Sequence, residues 1–239
     1  MATKRKITIS WSGGKDSAFA LHLLLQSQQY EVMNLHTIID RDSRRVGLHG
    51  VREELVEAQA RQIDITLIKG ILEASNDGAE YKTLVREMYR TFRSEGITHI
   101  MFGDIFLEDL RAYREELLQE SGLVPVYPLW NMKSRDMVDE FLKAGFKTII
   151  CSSNEACFNA GMLGKLMDEA IFGRIPSEVD PCGENGEYHS FVFDGPVFRK
   201  PVAITLGDVV TKNYEYTVID NGAPRRKTMV FYFQDILTG

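Results

Sequence analysis

The chain has 239 residues, 44% of them hydrophobic and 26% charged, enough for one large domain or one plus a small appendage, and excludes disordered, collagen-like and low-complexity classes. A formal charge of −6, from 28 basic and 34 acidic side chains, is spread along the chain, so no segment forms an electrostatic trap for nucleic acid. No apolar run approaches the ~18 residues of a membrane span, and Cys151, Cys157 and Cys182 form no CxxC pair; the expectation is a cytoplasmic protein with reduced, packed cysteines.

From Lys4 to Lys165, short apolar runs alternate with longer stretches of helical spacing. The predicted order is strand Lys6–Trp11, helix Ser17–Gln28, strand Glu31–Ile38, helix Val51–Arg61, strand Ile65–Ile68, helix Ala79–Glu95, strand His99–Phe102, helix Leu110–Ser121, strand Pro125–Tyr127, helix Arg135–Lys143 and strand Thr148–Cys151. Such repeated βα units make a parallel sheet covered by helices. Beyond Gly164 a helix over Leu166–Phe172 leads into a stretch dense in Gly, Pro, Asp and Glu. Two aromatic, β-branched runs then flank Asn221-Gly222, a strong hairpin dipeptide. The fold class expected is α/β, with a larger domain over 1–168 and a smaller α+β domain over 169–239.

The sharpest motif, Ser12-Gly13-Gly14-Lys15-Asp16-Ser17, follows the first strand and opens the first helix. Glycines let backbone amides approach an anion, the helix N-terminus adds partial positive charge, and Ser12 and Ser17 offer hydroxyls to phosphate oxygens. It is not a Walker loop, because only two adjacent glycines precede Lys15. Asp16 would repel a polyphosphate unless a cation lay between them, which implies Mg²⁺ with Asp16 as its ligand.

This loop resembles the pyrophosphate loop of the N-type ATP pyrophosphatases, which cleave ATP to AMP and pyrophosphate. The resemblance implies a Rossmann-like, adenine nucleotide alpha hydrolase-like domain that places ATP across the C-terminal edge of its parallel sheet. A second run, Asp180-Pro181-Cys182-Gly183-Glu184-Asn185-Gly186-Glu187-Tyr188-His189-Ser190-Phe191, followed by Asp194-Gly195-Pro196, makes the whole chain resemble the diphthine–ammonia ligase family. Gly103-Asp104-Ile105, Arg111, Glu115, Pro128-Leu129-Trp130 and His49 add to the likeness. It implies adenylation of a substrate carboxylate and amination by ammonia, the family's protein substrate being elongation factor 2. Residues Ser12, Gly13, Gly14, Lys15, Asp16 and Ser17 would bind the phosphates, with His36, Gly103 and Asp104 bordering the nucleotide. Lys15, Asp16, Glu184, Glu187 and His189 would be catalytic, the two glutamates holding ammonium or a cationic substrate group and His189 assisting proton transfer. Where family members read GEYET, this chain has His189-Ser190 after Gly186-Glu187-Tyr188, a form associated with bacterial relatives, whose acyl substrate would differ.

Two further readings of the same loop are a tRNA-modifying enzyme and an adenine-nucleotide sensor without turnover. Even charge and the lack of paired cysteines count against the first, and Asp16 against the second. Lys82, Arg86, Arg90 and Arg93 fall on one helix face and read as a solvated stripe. The apolar run Met229–Phe233 reads equally as core or as a homodimer contact.

Overall fold

The computed structural model describes residues 3–47, 49–73, 78–220 and 223–239. The first strand, β1 (Arg5–Ser10), buries Ile7 and Ile9 completely and runs into α1 (Lys15–Ser27), whose Ala18, Phe19 and Leu21 face the same core. The next strand, β2 (Tyr30–Asp40), outruns β1: its first part pairs parallel with β1, and its last residues pair with a small hairpin of β3 (Arg45–Val46) and β4 (Val51–Arg52). That hairpin therefore sits beyond the C-terminal end of β1. Helix α2 (Glu53–Ile63), β5 (Leu67–Leu72), α3 (Gly78–Ser94), β6 (His99–Met101), α4 (Glu108–Leu118), β7 (Val124–Val126) and α5 (Ser134–Lys143) complete the first layer pair.

The parallel strands lie in the order β5-β2-β1-β6-β7, so the order reverses between β1 and β6. In an open sheet of this kind the crevice at the reversal point is where a ligand is held. Both the glycine loop after β1 and Gly103-Asp104 after β6 open into that crevice.

One expectation fails here. The run Thr148–Cys151, read as a further parallel strand, belongs to β8 (Lys147–Asn154), which lies in a separate antiparallel sheet with β9 (Tyr188–Asp194), β10 (Ile204–Asp220) and β11 (Ala223–Thr238) in the order β10-β11-β8-β9. Its inner residues are buried on both faces, the apolar signature a central parallel strand would also show. The division expected at 168/169 thus falls within the span that supplies the second sheet. The helix read over Leu166–Phe172 shrinks to α6 (Glu169–Phe172), started by Asp168, whose carboxylate accepts from the Ile171 amide. Asn221-Gly222 lies outside the described residues; the strands that flank it pair antiparallel from Ile204 with Thr238 to Asp220 with Ala223.

One core spans both sheets, joining Ile7, Leu21 and Leu55 to Phe191, Val192 and Ile236, so α1 and α2 are sandwiched between the parallel sheet and the antiparallel one. A second cluster, with Val85, Phe92, Ile100 and Leu117, packs α3 and α4 on the opposite face. Phe231 and Phe233 are buried, which places that part of the 229–233 run in the core. The two sheets are also joined at the rim, where Asp235 on β11 accepts two bonds from Arg52 (2.8 Å each) and one from Arg45 (2.7 Å). Those guanidiniums hold the Asp235 carboxyl down at about 2.

Candidate active site

The loop after β1 has no side-chain cap: Gly14 stands at the N-cap of α1. First-turn amides of a helix need partners, and here the Lys15 amide donates to the Ser190 hydroxyl on β9 (3.1 Å). Gly13 has φ +82°, and a Cβ there would lie 2.8 Å from Gln59 Oε1, so the position requires glycine on both counts. Gln59, fully buried on α2, ties the site together. It accepts from Trp11 Nε1 (2.9 Å) and donates to the carbonyls of Gly13 (3.0 Å) and Val192 (2.6 Å), while the Val192 amide also donates to the Gly13 carbonyl (3.0 Å). Gly103 closes the other side: a Cβ on it would stand 3.0 Å from the Asp16 and Ser17 backbone.

A cavity of about 200 Å³ lies over this loop. It is lined by Ser12, Lys15, Asp16 and Ser17 from the loop, Gly103 and Asp104 from the end of β6, and Glu184 and His189 from the 180s segment. The structure thus gathers most of the sequence-predicted residues around one space. Lys15, 2% exposed, is directed away from solvent. Its ammonium donates to Asp16 Oδ2 (3.0 Å) and to the Cys182 carbonyl, and lies 5.1 Å from the centre of the Tyr188 ring. Burial is the largest single influence and works against that charge, yet Asp16, Tyr188 and Cys182 together raise the lysine pKa. Burial also raises the Asp16 pKa, the attraction of Lys15 only partly offsetting it.

The two glutamates of the 180s segment part company. Glu184 accepts from the Ile105 amide (2.9 Å) across the cleft, and burial, opposed by that bond and reinforced by Asp16, pushes its carboxyl up to about 7. Glu187, expected beside it as an acceptor for a cation, instead accepts from the amides of Asp180 (3.1 Å) and Asn185 (2.9 Å) and from the Asn185 side chain (3.1 Å). Its carboxylate holds the loop and does not line the cavity. His189 packs against His49 with ring centres 4.3 Å apart and the planes tilted by 33°. Burial, with each ring near the Lys15 charge, keeps both imidazoles neutral: His49 is pushed down to about 4 and His189 well below its ordinary value.

A second cavity, of about 340 Å³, adjoins the first. It is lined by His36, Val46, Val85, Met88 and Tyr89, a mostly apolar space suited to a flat base. His36 bonds Thr8 Oγ1 (2.8 Å), packs on Phe92 and is pushed down to about 3 by burial, so it forms a neutral wall. Ser10, Ser12 and Arg114 line both cavities. Asp104, expected to meet the nucleotide, is committed to Arg114 through two bonds, Nε to Oδ2 (2.5 Å) and Nη2 to Oδ1 (3.0 Å).

Among the described residues no group of three or more His, Cys, Asp and Glu side chains could hold a metal ion by itself. Magnesium in nucleotide sites rests on one or two carboxylates, with phosphates and water completing its shell. Asp16 fits that need, because its Oδ1 is buried without a hydrogen-bond partner. The cysteines bear no such chemistry: burial pushes the Cys151 thiol up to about 12 and raises Cys157 and Cys182. The basic stripe on α3 is partly neutralised, Lys82 and Arg86 meeting Glu116 (3.3 and 3.6 Å) and Arg90 meeting Glu120.

Gln59 and Arg114 escape a sequence reading of the site, although each leaves a trace. Gln59 interrupts the buried stripe Leu55, Val56, Ala60, Ile63, and Arg114 falls in the stripe of Leu110, Leu117 and Leu118. A polar side chain in an apolar stripe signals a built partner.

The family model of the diphthamide synthase N-terminal domain matches residues 5–125, and that of the diphthamide synthase C-terminal domain matches residues 133–222. The diphthine–ammonia ligase of Schizosaccharomyces pombe is 25% identical over 217 residues, 83% of this chain and 36% of that protein. That of Bos taurus is 26% identical over 140 residues, 56% and 52% respectively, and that of Rattus norvegicus 23% over 230 residues, 83% and 82%. The chain thus spans about a third of the first relative and about half of the second. Among solved structures, a predicted subunit of a tRNA methyltransferase from Methanocaldococcus jannaschii aligns with TM-score 0.41 and 16% identity over 60% of this chain and 77% of that one. The U34-tRNA thiolase NcsA from Methanococcus maripaludis aligns with TM-score 0.39 and 17% identity over 59% and 57%.

Proposed function

The chain belongs to the diphthamide synthase family, and from that membership we propose that it is an ATP-dependent carbon–nitrogen ligase. A substrate carboxylate oxygen attacks the α-phosphorus of ATP, the bond to the β-phosphate breaks and pyrophosphate leaves. Ammonia then attacks the acyl carbon, AMP departs, one proton is released and an amide remains. The observation that carries this reading is the uncapped glycine loop at the reversal point of the parallel sheet, with an apolar cavity on one side and the Glu184 carboxyl on the other.

Base and ribose occupy the larger cavity, and the pyrophosphate lies over Ser12–Ser17, where the helix N-terminus and backbone amides stabilise the charge that develops on the leaving group. Asp16 would hold magnesium, which supplies positive charge against the polyphosphate. Lys15 positions Asp16 and fastens the 180s segment through the Cys182 carbonyl. Glu184, with its carboxyl near 7, holds ammonium and takes its proton, as a base tuned close to the working pH should. The relatives' names point to diphthine, a modified histidine of elongation factor 2, as the acyl substrate. No helix among the described residues is long and apolar enough to cross a membrane.

The test is product analysis with ATP, Mg²⁺, ammonium and diphthine-bearing elongation factor 2. AMP and pyrophosphate, with amide formed in step, are expected; ADP and phosphate would refute the reading.

A further inference from the structure

The two cavities raise a question of charge. A nucleotide with its base in the larger cavity and its terminal phosphates over the glycine loop must lay its α-phosphate along the shared wall. That wall consists of Ser10, Ser12 and Arg114. Of the side chains lining either cavity, Lys15 and Arg114 are the fixed cations, and the Lys15 ammonium is engaged by Asp16 and the Cys182 carbonyl.

Arg114 is held side-on. Asp104 takes Nε and Nη2, and the guanidinium lies 4.6 Å from the centre of the Phe102 ring, so its plane is fixed by a carboxylate on one edge and an aromatic face beneath. Its third nitrogen, Nη1, makes no hydrogen bond among the described residues. The side chain keeps 24% of its surface open. A planar guanidinium offers forked donors to phosphate oxygens and is preorganised when one edge is already clamped.

We infer that Arg114 is the α-phosphate ligand of this site, with Asp104 as its positioning residue and Nη1 as the donor to a non-bridging oxygen. The inference rests on the ligase reading above, because it takes an adenine nucleotide as occupant. It assigns to Arg114 the charge that grows on the α-phosphoryl oxygens when the carboxylate attacks, separate from the charge on the leaving pyrophosphate that the loop receives.

Calorimetric titration of the full chain with adenosine, AMP and pyrophosphate separates the elements. Wild type is expected to bind AMP at least about tenfold more tightly than adenosine, as a charge-assisted contact to phosphate provides. Arg114→Gln should remove that preference and leave the Kd values of adenosine and pyrophosphate within about threefold. Should Asp104, left without its partner, unfold that variant, the double variant Asp104→Asn with Arg114→Gln removes both charges and is expected to show the same lost preference. An unchanged preference for AMP in a folded variant overturns the assignment while leaving the ligase reading standing. Failure of wild type to bind either adenosine or AMP overturns the nucleotide reading itself, and the assignment with it.

Discussion

Two loops face each other across the cleft and are built in opposite ways. The Ser12–Ser17 loop bonds its own backbone through serines, Ser12 Oγ accepting from the Gly14 amide (3.3 Å) and Ser17 Oγ donating to the Gly14 carbonyl (3.0 Å). It is otherwise held from outside, by Gln59, Val192 and Ser190, with no acidic side chain spent on its amides. The 180s segment spends its acidic side chains on its own backbone: Asp180 accepts from the Cys182 and Glu184 amides (3.0 Å each), and Glu187 accepts from those of Asp180 and Asn185. What each loop leaves unspent is what it can offer a ligand. From the first that is the helix N-terminus and Asp16 Oδ1; from the second it is Glu184 alone of the two glutamates.

That contrast can be broken at its strongest point by Asp16→Ala. Turnover measured as AMP release should fall by about a thousandfold or more while thermal unfolding stays cooperative; a wild-type rate would mean the loop only starts a helix. Glu184→Gln comes next. With Glu184 as the proposed base and its carboxyl near 7, wild-type kcat/KM should rise with pH through that region as the group ionises. The variant should lose about a hundredfold and the limb with it, and a limb that persists in Glu184→Gln would assign the base elsewhere. Glu187→Gln should leave the ammonium dependence of the rate unchanged and cost about 1 kcal/mol in urea unfolding, as lost bonds to charged acceptors do. A change in the ammonium KM instead would erase the distinction between the two glutamates.

The smallest effect lies at the rim. Asp235 has its pKa lowered to about 2 from 3.8, so the unfolded chain takes up a proton first as pH falls. Its contribution is therefore complete above about pH 4 and fades between about 4 and 2, and it is worth about 1 kcal/mol after allowance for partial exposure. Urea midpoints of wild type and Asp235→Asn should differ at pH 6 and converge in that acid window. A constant difference would show that the rim ties contribute through shape alone.

The glycine loop was legible because three signals coincide: an apolar strand, two glycines and an apolar helical spacing set in immediate succession. The pair Glu184 and Glu187 was not. Both are glutamates in one turn-rich run, and which one reaches the cleft is decided by the positive φ of Gly183 and Gly186 and by the amide of Ile105, far away in sequence. Strand β8 misled for a related reason: burial on both faces records how many layers cover a strand, not which sheet it joins. Arg114 and Gln59 were hidden in plain apolar stripes, since helical spacing shows that a position faces inward and says nothing of the partner it meets there.

The ties from β9 to the glycine loop also set a time. Ser190 reaches back 175 residues to Lys15, and Val192 reaches back to Gly13. During synthesis the parallel strands and their helices leave the ribosome first, carrying a glycine loop that still lacks its outer supports. The loop takes its final shape only after residue 192 has emerged and β9 has docked beside β8. The complete cradle is thereby reserved for a chain that has emerged past residue 192, and one truncated before β9 would display the signature sequence without the cradle.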